Sequence, residues 1–186
     1  NSRRIVSIWP DLINIDADTE VPGYYLGCAV AGMVAGLPAH QGFTNLGIAG
    51  IYSVSHSKGY FNEAQLDAIA VGGTYILLQD TATGLPYCRH QQTTDTQSIE
   101  VKELNVVKNF DFMSYFFKDL LSPFIGTWNV TEDCVDAIGR TLQSGILFQE
   151  SRSYPKIGSA LRVGQSSITE IKESEISSDR IEVRML

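Results

Sequence analysis

Hydrophobic positions along the chain change their spacing several times, and each change marks an element. Ile5, Val6, Ile8 and Trp9 crowd into a short β-rich run that Pro10 closes. The acidic stretch from Asp11 to Glu20 reads as a turn. Pro22 then suits a first helical position. "GYYLGCAVAGMVAGL", Gly23 to Leu37, is apolar on every side, which predicts a buried helix stopped by Pro38. Gly23, Gly27, Gly32 and Gly36 each lower helix propensity by about 1 kcal/mol, so close approach to another backbone is the expected return. "GFTNLGIAGIYSVSH" is glycine-rich with a strand-like centre from Ile48 to Val54. Asn62 is the expected cap of "EAQLDAIAVGG", which places Leu66, Ile69 and Ala70 on one face and stops at Gly72-Gly73. "TYILLQD" predicts a buried strand, "TATG" a turn and "LPYCRHQQ" the returning strand.

The second half begins with "TTDT" at Thr93 to Thr96, which suits a helix start with Ser98 as cap and Val101 opening the apolar face. From Leu104 the apolar residues Val107, Phe110, Met113, Phe116, Phe117, Leu120 and Leu121 recur at spacings dominated by three and four, which predicts a long amphipathic helix ended by Pro123. Asn129 or Thr131 caps the next helix, "EDCVDAIGRTLQSGIL", with Glu132, Asp133 and Asp136 near its positive end. Beyond Tyr154-Pro155, "ALRVGQSSITEIKES" and "DRIEVRML" alternate as strands do. The order β-α-β-α-β-β-α-α-β-β gives an α/β fold shading into α+β: a mixed sheet flanked by helices, then an antiparallel C-terminal part. The change of character near residue 97 divides the chain into regions 1–97 and 98–186. Both ends fall inside strand patterns, which points to a piece of a longer polypeptide.

Composition narrows the function. Asp and Glu outnumber Lys and Arg by 21 to 14, a net charge of −7, which argues against a nucleic-acid binder. No charged residue lies between Val21 and Ser57, but the helical part, Pro22 to Leu37, spans only about 24 Å where a hydrocarbon core needs about 30 Å. No stable membrane insertion is therefore expected, and the acidic flank of Asp16, Asp18 and Glu20 does not suit a signal peptide. Three cysteines, Cys28, Cys88 and Cys134, stand far apart without a CxxC, which fits a reducing compartment better than a disulfide or zinc scaffold. Asn129-Val130-Thr131 matches a glycosylation triplet that arises easily by chance.

Candidate chemistry concentrates in "QDTATGLPYCRHQQTTD", Gln79 to Asp95. On a regular strand Cys88 and His90 share a face with Arg89 opposite, and an α/β hydrolase-like or cysteine enzyme using Cys88 and His90 is the alternative function. Nucleophile and base normally come from separate elements, however. Ser53, Ser55 and Ser57 flank His56 without a GxSxG. His40, His56 and His90, even with Asp80 or Asp95, lack metal-ligand spacing. Neither GxGxxG nor GxxxxGK[ST] is present, so no nucleotide loop is supported. The expectation is no catalytic, cofactor-binding or metal-binding residue, and no cofactor.

The joint order of "RRIVSIWPD", "VPGYYLGCAVAGMVAGLPAHQGFTNLGIAGI", "EAQLDAIAVGGTYILLQDTATGLPYCRHQQTTDT", "VKELNVVKNFDFMSYFFKDLLSPFIGTWN" and "DRIEVRML" resembles the C-terminal half of contractile phage tail sheath proteins of the Mu-like and related myophage type. The resemblance covers nearly the whole chain. It implies an α/β sheath core of subtilisin-like topology without the hydrolase's chemistry. It also implies a structural virion subunit that self-assembles around the tail tube and contracts to drive the tube through the host envelope. The implied partners are other copies, through strand exchange by terminal arms, the tail tube protein, and baseplate and tail terminator proteins. Assembly is implied in the host bacterial cytoplasm. "YCRHQQ" is then the second strand of a core hairpin, with Arg89 or His90 packing or pairing rather than reacting. Strand-like ends suit β-augmentation by another chain.

Overall fold

The computed structural model describes residues 2–54, 61–81, 84–176 and 180–185. In chain order the elements are β1 Ser7–Trp9, β2 Leu12–Asn14, β3 Glu20–Pro22, α1 Tyr24–Gly36, α2 Glu63–Val71, β4 Thr74–Leu78, β5 Tyr87–His90, α3 Ile99–Lys102, α4 Leu104–Leu121, a 3-10 turn Ser122–Phe124, α5 Glu132–Ser151, β6 Ile168–Glu173 and β7 Ile181–Met185. Packing divides them into two compact units, Asn1–Lys108 and Asn109–Leu186. The boundary between these packing units falls inside α4: Leu104 and Val107 in its first turn are buried, and Leu104 joins the first unit's core.

In the first unit a mixed sheet has the order β1-β4-β5, with β1 parallel and β5 antiparallel to β4. Tyr75, Ile76 and Leu77 of β4 are fully buried, as an unbroken apolar run on a central strand requires. Around them Ile13, Leu26, Val30, Phe43 and Cys88 complete the core. Each such aliphatic or aromatic side chain contributes about 1.5–3 kcal/mol on burial. Asn62 caps α2 as the sequence indicates, and Gln65 completes a capping box. Asn62 Oδ1 accepts from Gln65 N–H at 2.9 Å, and Gln65 Oε1 accepts from Asn62 N–H at 2.9 Å. Gly73 follows with φ of 73°, and a side chain there would strike the Thr93 carbonyl.

Four local expectations are corrected. The acidic stretch is a hairpin, β2 paired antiparallel with β3. Only its tip is a turn, where Asp16 Oδ1 accepts from the N–H groups of Asp18 and Thr19. Pro22 ends β3, and α1 starts after Gly23, whose N–H donates to the Asp11 carbonyl at 2.6 Å with no room for a Cβ. Ile48, Ile51 and Val54 do sink into the core, but positive φ at Gly50 interrupts any ladder, leaving isolated bridges Gly47–Tyr87 and Asn14–Ser53. Helix α1 buries only Leu26 and Val30; Tyr24, Tyr25, Cys28, Ala31 and Ala35 face outward, and around Gly32 and Gly36 no backbone of the described residues approaches.

In the second unit, Met113 and Phe117 of α4 pack with Cys134, Ile138, Leu142 and Ile146 of α5. These positions recur every three or four residues, so each helix turns one apolar stripe to the core. Thr131 caps α5, its hydroxyl accepting from Cys134 N–H at 3.3 Å, and the helix runs to Ser151, past the expected end at Leu147. The antiparallel hairpin of β6 and β7 covers the core with Ile168, Ile171, Ile181 and Val183. "ALRVGQSS", read as strand, is irregular instead.

Candidate functional site

The segment from Gln79 to Asp95 carries the chemistry-bearing residues, and its geometry starts from a β-bulge. Leu78 faces Tyr87 and Leu77 faces Cys88, but Ile76 faces His90, so Arg89 is the extra residue on β5. A bulge sets two residues against one and breaks the alternation of faces. Cys88 therefore points into the core, fully buried, while Arg89 and His90 both line an open cleft of about 530 Å³ with Thr44, Asp67 and Lys102. The regular-strand expectation that Cys88 and His90 share a face is corrected by this bulge.

Among the described residues no histidine side chain hydrogen-bonds the Cys88 thiol, whose neighbours are the Tyr75 hydroxyl, the His90 backbone and, more remotely, the Glu103 carboxylate. Burial pushes its thiol up to about 12, so it is protonated at neutral pH, the reverse of an activated nucleophile. Its neighbour Tyr75 is also buried and its hydroxyl pushed upward, chiefly by burial. The two feel each other electrostatically, yet the Tyr75 hydroxyl forms no well-shaped hydrogen bond among the described residues.

His90 is committed elsewhere. Its Nε2 lies 2.5 Å from Glu103 Oε1 and its Nδ1 2.7 Å from Gln92 Nε2. Facing a carboxylate, Nε2 carries the proton; Nδ1 then accepts from the Gln92 amide. Arg89 donates to Glu63 Oε2 at 2.9 Å and to Asp67 Oδ1 at 2.6 Å, clasping the outer face of α2. Both carboxylates are well exposed, so this pairing is worth little alone.

The glutamines carry more of the structure. Gln91 Oε1 accepts from Phe43 N–H at 2.6 Å, and its Nε2 donates to Glu103 Oε2 at 3.1 Å and Asn105 Oδ1 at 2.6 Å. Gln79 accepts from Val54 N–H and donates to the carbonyls of Tyr52 and Gly84. Thr93 Oγ1 donates to the Val101 carbonyl at 2.7 Å, and Thr94 Oγ1 to that of Ser2 at 2.9 Å. Each buried amide or hydroxyl satisfies backbone groups that an irregular loop leaves over. Their signal in the sequence was polar residues closing apolar strand patterns; Glu103, Asn105 and Gln79 were not singled out there.

The remaining candidates do not converge. Asp80 accepts from Tyr87 O–H at 2.8 Å, and Asp95 accepts locally from Gln97 N–H. Ser53 bridges to Asn14. Ser55, His56 and Ser57 lie outside the described residues. Among the described residues no cluster of three or more His, Cys, Asp or Glu side chains is arranged to hold a metal ion. No described helix is long and apolar enough to cross a membrane. What the segment does chemically is cross-link: it pins loops and helix starts to the edge of the mixed sheet.

No protein-family model matches the chain, and no curated protein does. Solved structures do match its fold. The helical sheath of the anti-feeding prophage in its contracted state aligns over 100% of this chain and 52% of its own, at 14% identity and a TM-score of 0.72. A sheath tail protein from Desulfitobacterium hafniense aligns over 78% of this chain and 34% of its own, at 14% identity and a TM-score of 0.65. One from Listeria innocua aligns over 74% and 33%, at 11% identity and a TM-score of 0.60. The chain thus has a mixed α/β fold shared with tail sheath proteins, and it spans a third to a half of their length.

Proposed function

We propose that this chain is part of a structural subunit of a contractile tail sheath and not an enzyme. The observation that carries the reading is the fold shared with the contracted anti-feeding prophage sheath along the entire chain. The buried, proton-holding Cys88 and the His90–Glu103 pair support it, because the best candidate for a reactive centre is built as a brace.

In this reading copies assemble around a tail tube, exchange strands with one another, and contract to drive the tube through the host envelope. The tube protein, baseplate and tail terminator are the further partners. The subunit works in the virion tail after assembly in the host cytoplasm. The subtilisin-like core topology and a functional division near residue 97 belong to the same proposal. Two features of the chain favour self-association. The β6–β7 hairpin leaves the outer edges of both strands unpaired among the described residues, a template for another strand. The outward face of α1 carries Tyr24 and Tyr25 at its start and then only small residues, Cys28, Ala31, Gly32, Ala35 and Gly36, with no charge, which suits burial against a further surface.

Negative-stain electron microscopy of the full-length gene product, at rising salt and protein concentration, tests the proposal. Tubes or stacked rings are the expected result. A monomer of ordinary hydrodynamic size that persists under all those conditions overturns it.

A further inference from the structure

The imidazole of His90 stands between two partners that respond differently to a proton. Its Nε2 faces Glu103 Oε1 at 2.5 Å, and its Nδ1 faces Gln92 Nε2 at 2.7 Å. A carboxylate accepts in either state of the ring. An amide nitrogen only donates, so it suits Nδ1 only while that nitrogen is bare. A second proton, placed on Nδ1, sets donor against donor. With 38% of its side chain exposed, the ring can collect that proton from the open cleft beside it.

Gln92 is built to answer the change. The residue is 2% exposed, and its Oε1 is buried without a partner among the described residues. Of the two amide hydrogens, one meets His90 Nδ1 and the other has no partner among the described residues. Turning the amide over brings Oε1 to the Nδ1–H and leaves both hydrogens unmatched in place of one oxygen and one hydrogen. Two positions stay unmatched in either orientation, so the proton on His90 decides which is kept. Protonation also makes the Glu103 contact an ion pair and the Gln92 bond charge-assisted.

The other charged groups bordering the same cleft are Asp67 on α2, Arg89 on β5 and Lys102 on α3. Arg89 is bonded to Asp67 and Glu63. Lys102 opposes a second proton on the ring. Glu103, the one charged side chain bonded to the ring among the described residues, favours it.

We propose that His90 and Gln92 form a proton-operated latch: in mild acid Nδ1 takes a proton from solvent, the Gln92 amide turns over to receive it, and the tie between β5 and the α3–α4 junction tightens. The inference rests on the first unit alone and stands whether or not the sheath reading holds.

Two measurements at about pH 7.5 and about pH 5.5 test it, a window above the ordinary carboxylate range in which imidazoles gain charge. The first is NMR of the isotope-labelled parent chain. Scalar coupling across the Gln92 N–H···Nδ1 bond is expected at the upper pH. At the lower pH it is expected to be replaced by coupling from Nδ1 to the Gln92 side-chain carbonyl carbon. Absence of the first coupling, its persistence in acid, or failure of the second to appear overturns the proposal. The second measurement is hydrogen exchange across the junction, where Thr93 N–H donates to the Lys102 carbonyl at 2.8 Å and Leu104 N–H to the Gln91 carbonyl at 2.9 Å. Corrected for the intrinsic rate at each pH, protection of both amides is expected to rise about fivefold at the lower pH, and not in His90→Gln, which cannot gain the charge. Unchanged protection, or an equal rise in the variant, overturns the proposal. The couplings are read on the parent chain, so they decide the reversal of the amide even where the variant folds poorly.

Discussion

Glu103 Oε1 stands 2.5 Å from His90 Nε2, while the other oxygen of the same carboxylate accepts from Gln91. One side chain thereby ties the end of β5 to the junction of α3 and α4, where the backbone of Glu103 leaves helical geometry and pairs with Gln92. The carboxylate is matched to donors on both oxygens. Glu103→Gln keeps the shape, removes the charge and turns one acceptor into a donor facing a donor. Allowing for partial exposure of the pair, the expected loss is about 1–2 kcal/mol. It should be read as a lower urea midpoint with an unchanged slope. A midpoint equal to that of the parent chain refutes the bracing role.

Gln91 gives a sharper test, because it is buried and holds the buried Phe43 N–H together with the half-buried Asn105 side chain and Glu103 carboxylate. Gln91→Leu leaves the Phe43 N–H without its acceptor and the Asn105 carbonyl without its donor. Stranding two such groups is expected to destabilise by about 2–3 kcal/mol. Hydrogen exchange locates the effect: the Phe43 amide should exchange faster in the variant even after correction for the global loss. Exchange at Phe43 that follows only the global change refutes the assignment.

The difference between these residues and the rest of the fold shows what a sequence reveals. The amphipathic spacing from Leu104 to Leu121 and the capping residues Asn62 and Thr131 were legible, because they depend on neighbours three or four positions away. The β2–β3 hairpin was not, since its strands are three residues long and its acidic tip masks them. The orientation of Cys88 was lost for another reason. A single inserted residue, Arg89, reverses the face of everything after it, and only the pairing with Ile76 and Leu77 discloses the insertion. Likewise Glu103 pairs with His90 from thirteen positions away, beyond the reach of any local pattern. That Arg89 or His90 would pack or pair was legible, but the Glu103 partner of His90 could not be named beforehand.

The three thiols should separate cleanly. Cys28 is exposed on α1, whereas Cys88 and Cys134 are buried. A disulfide reagent at neutral pH is expected to modify Cys28 rapidly and the other two only on unfolding. Fast modification of Cys88 in the native chain contradicts both its burial and the non-enzymatic reading.

Cys88 also makes an alkaline prediction. Its thiol titrates at 9.0 ordinarily and near 12 in the fold, through burial. Between those values the unfolded chain has released a proton that the folded chain retains. The folded state then binds more protons, so stability falls as pH rises through this window and is unaffected by this group below it. Cys88→Val removes the ionisation. Urea midpoints at about pH 8 and about pH 10.5 should drop further in the parent than in the variant. Equal drops refute the shift.

Two helical glycines should respond to alanine with opposite signs. At Gly145 in α5 a Cβ would lie 2.6 Å from Leu120 Cδ2, 3.3 Å from Phe116 Cε1 and 3.4 Å from Phe117 Cε1. The gain in helix propensity, about 1 kcal/mol, is opposed by overpacking of about 1–3 kcal/mol, so Gly145→Ala is expected to destabilise by about 1 kcal/mol. At Gly32 in α1 no described atom lies within 4 Å of the added Cβ. There only the propensity acts, and Gly32→Ala should stabilise the isolated chain by about 0.5–1 kcal/mol. The outcome at Gly32 bears on assembly as well. A glycine kept where alanine would improve the helix is explained if that face packs closely against a further surface in the assembled state. Thermal unfolding of the isolated chain supplies the sign at both sites, and tube formation by the full-length variant supplies the consequence. A stabilised chain that assembles less well supports a packed face at Gly32, and undiminished assembly removes that role from α1.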